Sequence, residues 1–186
     1  MKKTILTILL CSVIILGLTG CGENKVDQAK KDLQETQEKY GYVEKENINL
    51  TVARFNTEIM ESNLNTPATD DSMVVDNDLY WYALTDDISY YLKPIDFSND
   101  IEKDITDMSA LYFDKEKYNE EDAQKYARLL IKANNVEFTD SEIDELLKDA
   151  KEKQELKQTA NNGKGISVGI VESDDHFEYQ VIRLYK

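Results

Sequence analysis

Leu79-Tyr80-Trp81-Tyr82-Ala83-Leu84, then Thr85-Asp86-Asp87, then Ile88-Ser89-Tyr90-Tyr91-Leu92 is the stretch that decides the fold. Aromatic and β-branched residues crowd both runs, and the residues between them are turn formers. A loop over 85–87 sets Leu84 opposite Ile88, Tyr82 opposite Tyr90 and Tyr80 opposite Leu92. All six then share one face. The other face carries Trp81 opposite Tyr91, Ala83 opposite Ser89 and Leu79 opposite Lys93. The first face is the better core. A slip of one residue would mix Ser89 and Lys93 into it, so the register is well specified.

Outward from this hairpin, Asp76-Asn77-Asp78 reads as a turn joining Val74-Val75 to the same sheet. A second hairpin closes the chain. Ile166, Val168 and Ile170 alternate with Ser167 and Gly169, and Phe177, Tyr179 and Val181 alternate with Glu178 and Gln180. Turning at Asp174-Asp175 pairs Ile170 with Tyr179 and Val168 with Val181, again making one apolar face. Met108 to Phe113 reads as another strand. Pro94 to Asp107 reads as a connection with a helical turn around Ile101.

Three segments change to helical period. Thr51 to Leu64 carries Val52, Phe55 and Ile59 on one stripe, with Thr51 placed to cap it. Asn119 caps the next, ahead of Glu120, Glu121 and Asp122 in the first turn, where acids are favourable. Its stripe is Ala123, Tyr126, Ala127, Leu130 and Ile131, and Asn134-Asn135 ends it. Thr139-Asp140-Ser141-Glu142 matches a capping box, and Ile143, Leu146, Leu147 and Ala150 follow it. The expected fold class is therefore α+β, an antiparallel sheet of hairpins packed against about three helices. A helix followed by meandering strands resembles cystatin-like folds, a likeness that carries no function.

The N-terminus has a different logic. Met1-Lys2-Lys3 is basic, Thr4 to Leu18 is an apolar run, and Leu18-Thr19-Gly20-Cys21 follows. A charged start, a short apolar run and small residues before a cut is the layout of a secretory signal. The run falls short of the roughly 20 apolar residues that span a bilayer. Leu18-Thr19-Gly20-Cys21 resembles the lipobox of bacterial lipoproteins. That resemblance implies lipidation of the Cys21 thiol, cleavage before it, and a chain anchored on the outer face of the cell membrane. Two acyl chains suffice for a stable tether. The expected organisation is a signal peptide over 1–20, a lipid-anchored stalk over 21–47 and a single extracytoplasmic domain over 48–186.

Composition bounds the chemistry. The chain has two cysteines; Cys11 lies in the signal and Cys21 is assigned to lipid. The mature chain is thus left without a disulfide or a thiolate site. Lys and Arg number 22 against 37 acids, for a net charge of −15. Nucleic acid needs clustered Lys and Arg, so it is excluded as the expected partner. Such a field attracts cations and basic peptides or proteins, and it also serves plain solubility.

No motif after Cys21 carries recognisable catalytic chemistry. Trp81 and Tyr91 form the one candidate binding pair. They read either as a surface that stacks on peptides or sugars or as core beneath a helix. Asp70-Asp71, Asp86-Asp87 and Asp174-Asp175 sit in turns, where Asp is at home, and no stretch fits a calcium loop. His176 is the only histidine, with no nucleophile placed beside it. Gly163-Lys164-Gly165 precedes a strand and not a helix, so it lacks the phosphate-binding mechanism of a glycine-rich loop. No metal site, cofactor or catalytic residue is assigned. The expected function is a membrane-tethered, non-catalytic binding or accessory module, meeting a cell-surface protein or basic peptide. The alternatives are an inhibitor or immunity-type lipoprotein against a basic toxin, and an extracytoplasmic hydrolase using paired carboxylates that no local signature selects.

Overall fold

The computed structural model describes residues 41–64, 66–117, 119–135, 137–154, 158–161 and 163–185. The signal segment, the lipobox with Cys21, and the stalk up to residue 40 lie outside the described residues. In chain order the elements are α1 (Ile48–Glu61), a short 3-10 turn (Asp70–Ser72), β1 (Met73–Asp76), β2 (Leu79–Ala83), β3 (Ile88–Pro94), β4 (Thr106–Asp114), α2 (Glu120–Asn134), α3 (Asp140–Gln154), β5 (Ile166–Glu172) and β6 (His176–Arg183). The strands form one six-stranded antiparallel sheet in the order β1-β2-β3-β4-β6-β5. The fold is α+β.

Both hairpins take the register set by their alternating patterns. Tyr82 faces Tyr90, Tyr80 faces Leu92 and Trp81 faces Tyr91; Ile170 faces Tyr179 and Val168 faces Val181. The β1–β2 turn places Asn77 at φ 51° and Asp78 at φ 63°. Two successive left-handed residues match the right-handed twist of the flanking strands, and Asn and Asp tolerate them best after Gly. β6 lies between β4 and β5, so the strand that ends the chain occupies the interior of the sheet. The two helices between β4 and β5 make that return possible.

One face of the sheet meets all three helices. Phe55 and Ile59 of α1, Leu130 and Ile131 of α2, and Ile143 and Leu146 of α3 join Tyr80, Tyr82, Tyr90, Leu92, Leu111, Val168 and Val181 in one buried cluster. Phe55 stacks on Tyr90 with ring centroids 4.3 Å apart. Asn119 caps α2 by accepting from the Glu121 and Asp122 amides. Glu142 accepts from the Thr139 amide at 2.8 Å, closing the expected box at the start of α3.

The first helix begins earlier than its sequence suggests. Asn47, not Thr51, is the cap, and its side chain accepts from the Leu50 amide at 2.8 Å. Asn47 also forms a bridge with Ile105, so the helix starts where the backbone leaves the sheet. Thr51 lies one turn inside, fully buried, with its hydroxyl 2.8 Å from that of Thr106. The helix ends at Glu61, with Ser62 as its C-cap, rather than at Leu64.

Residues 41–47 run against the same face. The Val43 amide donates to the Leu184 carbonyl at 2.9 Å. Glu46, 7% exposed, accepts from Arg183 at 2.9 Å and pairs with Arg54 at 2.6 Å. Gly165 is left-handed (φ +78°), and a Cβ there would collide with the Tyr42 backbone, so this approach requires glycine.

Candidate functional site

The opposite face of the sheet has its own order. Strand alternation puts Val74, Trp81, Tyr91, Ala110, Gln180 and Gly169 in one row across all six strands. The next row holds Ala83, Ser89, Tyr112 and Glu178. None of these belongs to the cluster that the helices cover.

Aromatic rings link the two rows. The Trp81 and Tyr91 ring centroids lie 4.5 Å apart with the planes tilted by 33°, within the range of aromatic pairing. Trp81 meets the edge of Tyr112 at 6.2 Å, and Tyr112 stacks on His176 at 4.6 Å. Four rings from β2, β3, β4 and β6 therefore form one continuous patch. Tyr91 is buried, while Trp81 and Tyr112 are half-buried. The Trp81 Nε1 is buried without an acceptor among the described residues.

Glu178 organises the polar side of this patch. Tyr91 Oη donates to its Oε2 at 2.9 Å, and Gln180 Nε2 donates to the same oxygen at 2.6 Å. His176 Nε2 lies 3.2 Å from its Oε1, and His176 Nδ1 lies 2.7 Å from Asp175 Oδ1. Burial, and then the Glu178 charge, push the Tyr91 phenol far above its usual range. Burial, and then Asp175, Asp114 and Glu178, raise that of Tyr112. Both phenols thus stay protonated at neutral pH. The His176 ring holds the Asp175 carboxyl below its ordinary value. This arrangement offers ring faces for stacking and carboxylates for pairing with cations.

Trp81 and Tyr91 therefore pair in the register that the strand pattern set, on the face away from the described helices. Tyr112 and His176 complete the patch; Tyr112 has no mark of a site in the sequence, and His176 reads there only as a lone histidine at a turn. Tyr112 alternates between Leu111 and Phe113, a pattern that signals an outward residue once those two are inside. His176 had no such signal, because its neighbour is set by the pairing of β4 with β6.

The remaining sequence candidates are dispersed. Asp70-Asp71 opens the 3-10 turn; Asp87 pairs with Lys117; Lys164 pairs with Glu142 at 2.8 Å. Among the described residues no group of three or more His, Cys, Asp or Glu is placed to hold a metal ion. Among them, too, no helix is long and apolar enough to cross a membrane. Comparison of the chain with protein-family models, with curated proteins and with solved structures finds no match.

Proposed function

We propose that the chain is a membrane-tethered extracytoplasmic lipoprotein whose domain is a non-catalytic binding module for a basic segment of a cell-surface protein. Cys21 carries the lipid, and the sheet face bearing Trp81 and Tyr91 meets the partner. The four-ring patch of Trp81, Tyr91, Tyr112 and His176 on a face that the described helices leave alone carries this reading. The N-terminal layout supports the tether. The net charge of −15 supports a basic partner.

The test has two arms in the full-length chain, expressed in a bacterium that processes lipoproteins. Cys21→Ala is expected to leave an unprocessed precursor without lipid label; normal labelling of that variant ends the tether. A photo-crosslinking residue at position 81 is expected to capture a defined partner that the same residue at Met60, an exposed position on α1, does not. Equal capture from both positions removes the face from the proposal. The inhibitor reading draws on the same acidic field and adds one requirement, that the captured partner be a toxin or enzyme whose activity falls when bound.

A further inference from the structure

The two edges of the sheet are finished differently. At the β5 edge, Ala160 exchanges both backbone hydrogen bonds with Val168, at 2.7 and 2.8 Å. At the β1 edge, Met73–Asp76 has no further strand beside it among the described residues. Val74 is 60% exposed and Val75 39% exposed. Asp76 and Leu79 close a two-residue turn, so they exchange hydrogen bonds, and the next such pair is Val74 with Trp81. By alternation, the Val75 N–H and C=O and the Met73 C=O point away from β2 into the open edge, while the Met73 N–H donates to the Asp70 carbonyl.

Exposed edges are normally blunted by lysine, proline or a covering segment, because unpaired backbone groups recruit strands. At four residues β1 is short, but among the described residues it carries no lysine, proline or covering segment and shows valine instead. Its ends are acidic: Asp70 and Asp71 precede it, Asp76 and Asp78 flank the turn, and all four are exposed. No ion pair engages any of the four among the described residues. A second copy docking β1 on β1 would bring these carboxylates against their own kind, which opposes association.

Resting on the reading of the domain as a binding module, we infer that the β1 edge takes an extended basic peptide segment as an added strand. Main-chain bonds to the Val75 N–H and C=O and to the Met73 C=O hold it, apolar side chains at its centre lie beside Val74, whose row continues to Trp81, and Lys or Arg at its ends meet the flanking aspartates. Strand addition of this kind draws affinity from the backbone and specificity from alternate side chains. It also joins the edge to the aromatic patch, since Val74 stands directly opposite Trp81.

The probe is a synthetic peptide with alternating valine and threonine at its centre and paired lysines at both ends. It is titrated into the full-length chain in nonionic detergent, with hydrogen exchange read at each amide. The Val75 amide is expected to gain protection, and the same peptide with glutamates for lysines is expected not to bind. Val75→Pro removes an outward donor without removing a ladder bond, and it is expected to weaken the lysine peptide at least tenfold. Asp70→Asn together with Asp76→Asn is expected to weaken it several-fold and flatten its salt dependence. Binding without protection of the Val75 amide, equal binding of the glutamate peptide, or protection that rises with protein concentration in the absence of peptide overturns the inference. Should Val75→Pro fail to fold, amide protection in the unaltered chain decides alone. Partner capture from position 81 that persists in a folded Val75→Pro chain removes the edge and leaves the module standing. Loss of capture with the peptide still adding to β1 removes the partner face and keeps the edge.

Discussion

Tyr90 and Tyr91 are consecutive residues on β3, both buried, and they are buried by different means. Tyr90 lies under α1, stacked on Phe55 at 4.3 Å. Tyr91 lies on the other face, stacked on Trp81 at 4.5 Å and bonded through its hydroxyl to Glu178. Burial raises both phenols above their usual range, and it is the leading cause in each case. On the helix side, burial comes from elements distant in the chain. On the outer side, the described contacts of Tyr91 with Trp81 and Glu178 lie in the sheet itself. A large side chain is thus buried on a face that the described helices do not cover, beside rings that stay half-buried.

The helix side also takes charges inside, and there the contrast with the outer face can be broken most visibly. Arg183, 4% exposed, depends on Glu46 for its countercharge. Glu46→Ala leaves a buried guanidinium without a carboxylate and is expected to cost about 3–5 kcal/mol, read by urea unfolding. A cost within the error of the measurement would mean that the segment before α1 does not hold the domain.

A smaller loss is expected from Asp104, which also lies on this side and is 3% exposed. Burial alone would push its carboxyl up. The hydroxyls of Ser98 and Tyr80 and the Ser98 amide outweigh that and hold it below the ordinary value. A carboxyl lowered by folding contributes stability above its unfolded pKa of about 3.9, and that contribution disappears as pH falls through the folded value. Asp104→Asn is therefore expected to cost about 1–3 kcal/mol at neutral pH. Its difference from the unaltered chain should shrink on acidification below about pH 4. A difference that grows with acid would reverse the assignment.

The smallest effect on stability belongs to the outer face. Trp81→Ala is expected to cost about 1 kcal/mol, the scale of a cross-strand aromatic pair, while abolishing capture of the partner. Phe55→Ala across the sheet supplies the comparison, at about 3–5 kcal/mol for an aromatic removed from a closed core. Equal losses at the two positions would make Trp81 core and remove the binding face.

Half of the aromatic patch could be read in the chain. Trp81 and Tyr91 follow from one loop length and a period of two, which are local quantities. Tyr112 and His176 join them only because β4 pairs with β6 across α2 and α3, placing Tyr112 beside Glu178 and Asp114 beside His176. No residue pattern within either strand specifies that pairing. Thr51 shows the same limit at smaller scale. It has the chemistry of a cap, and so does Asn47, and the bridge from Asn47 to Ile105 chose between them.

The sequence by itself therefore determined the fold class, the registers of the two hairpins, the capping box at Thr139 and the acidic balance. Each rests on neighbours within a few residues or on composition. The tertiary structure alone decided the strand order, the burial of Glu46 against a residue 137 positions away, the four-ring patch and the open edge at β1. Those depend on which distant segments bury the most apolar area together, and that choice is made only once the chain has closed on itself.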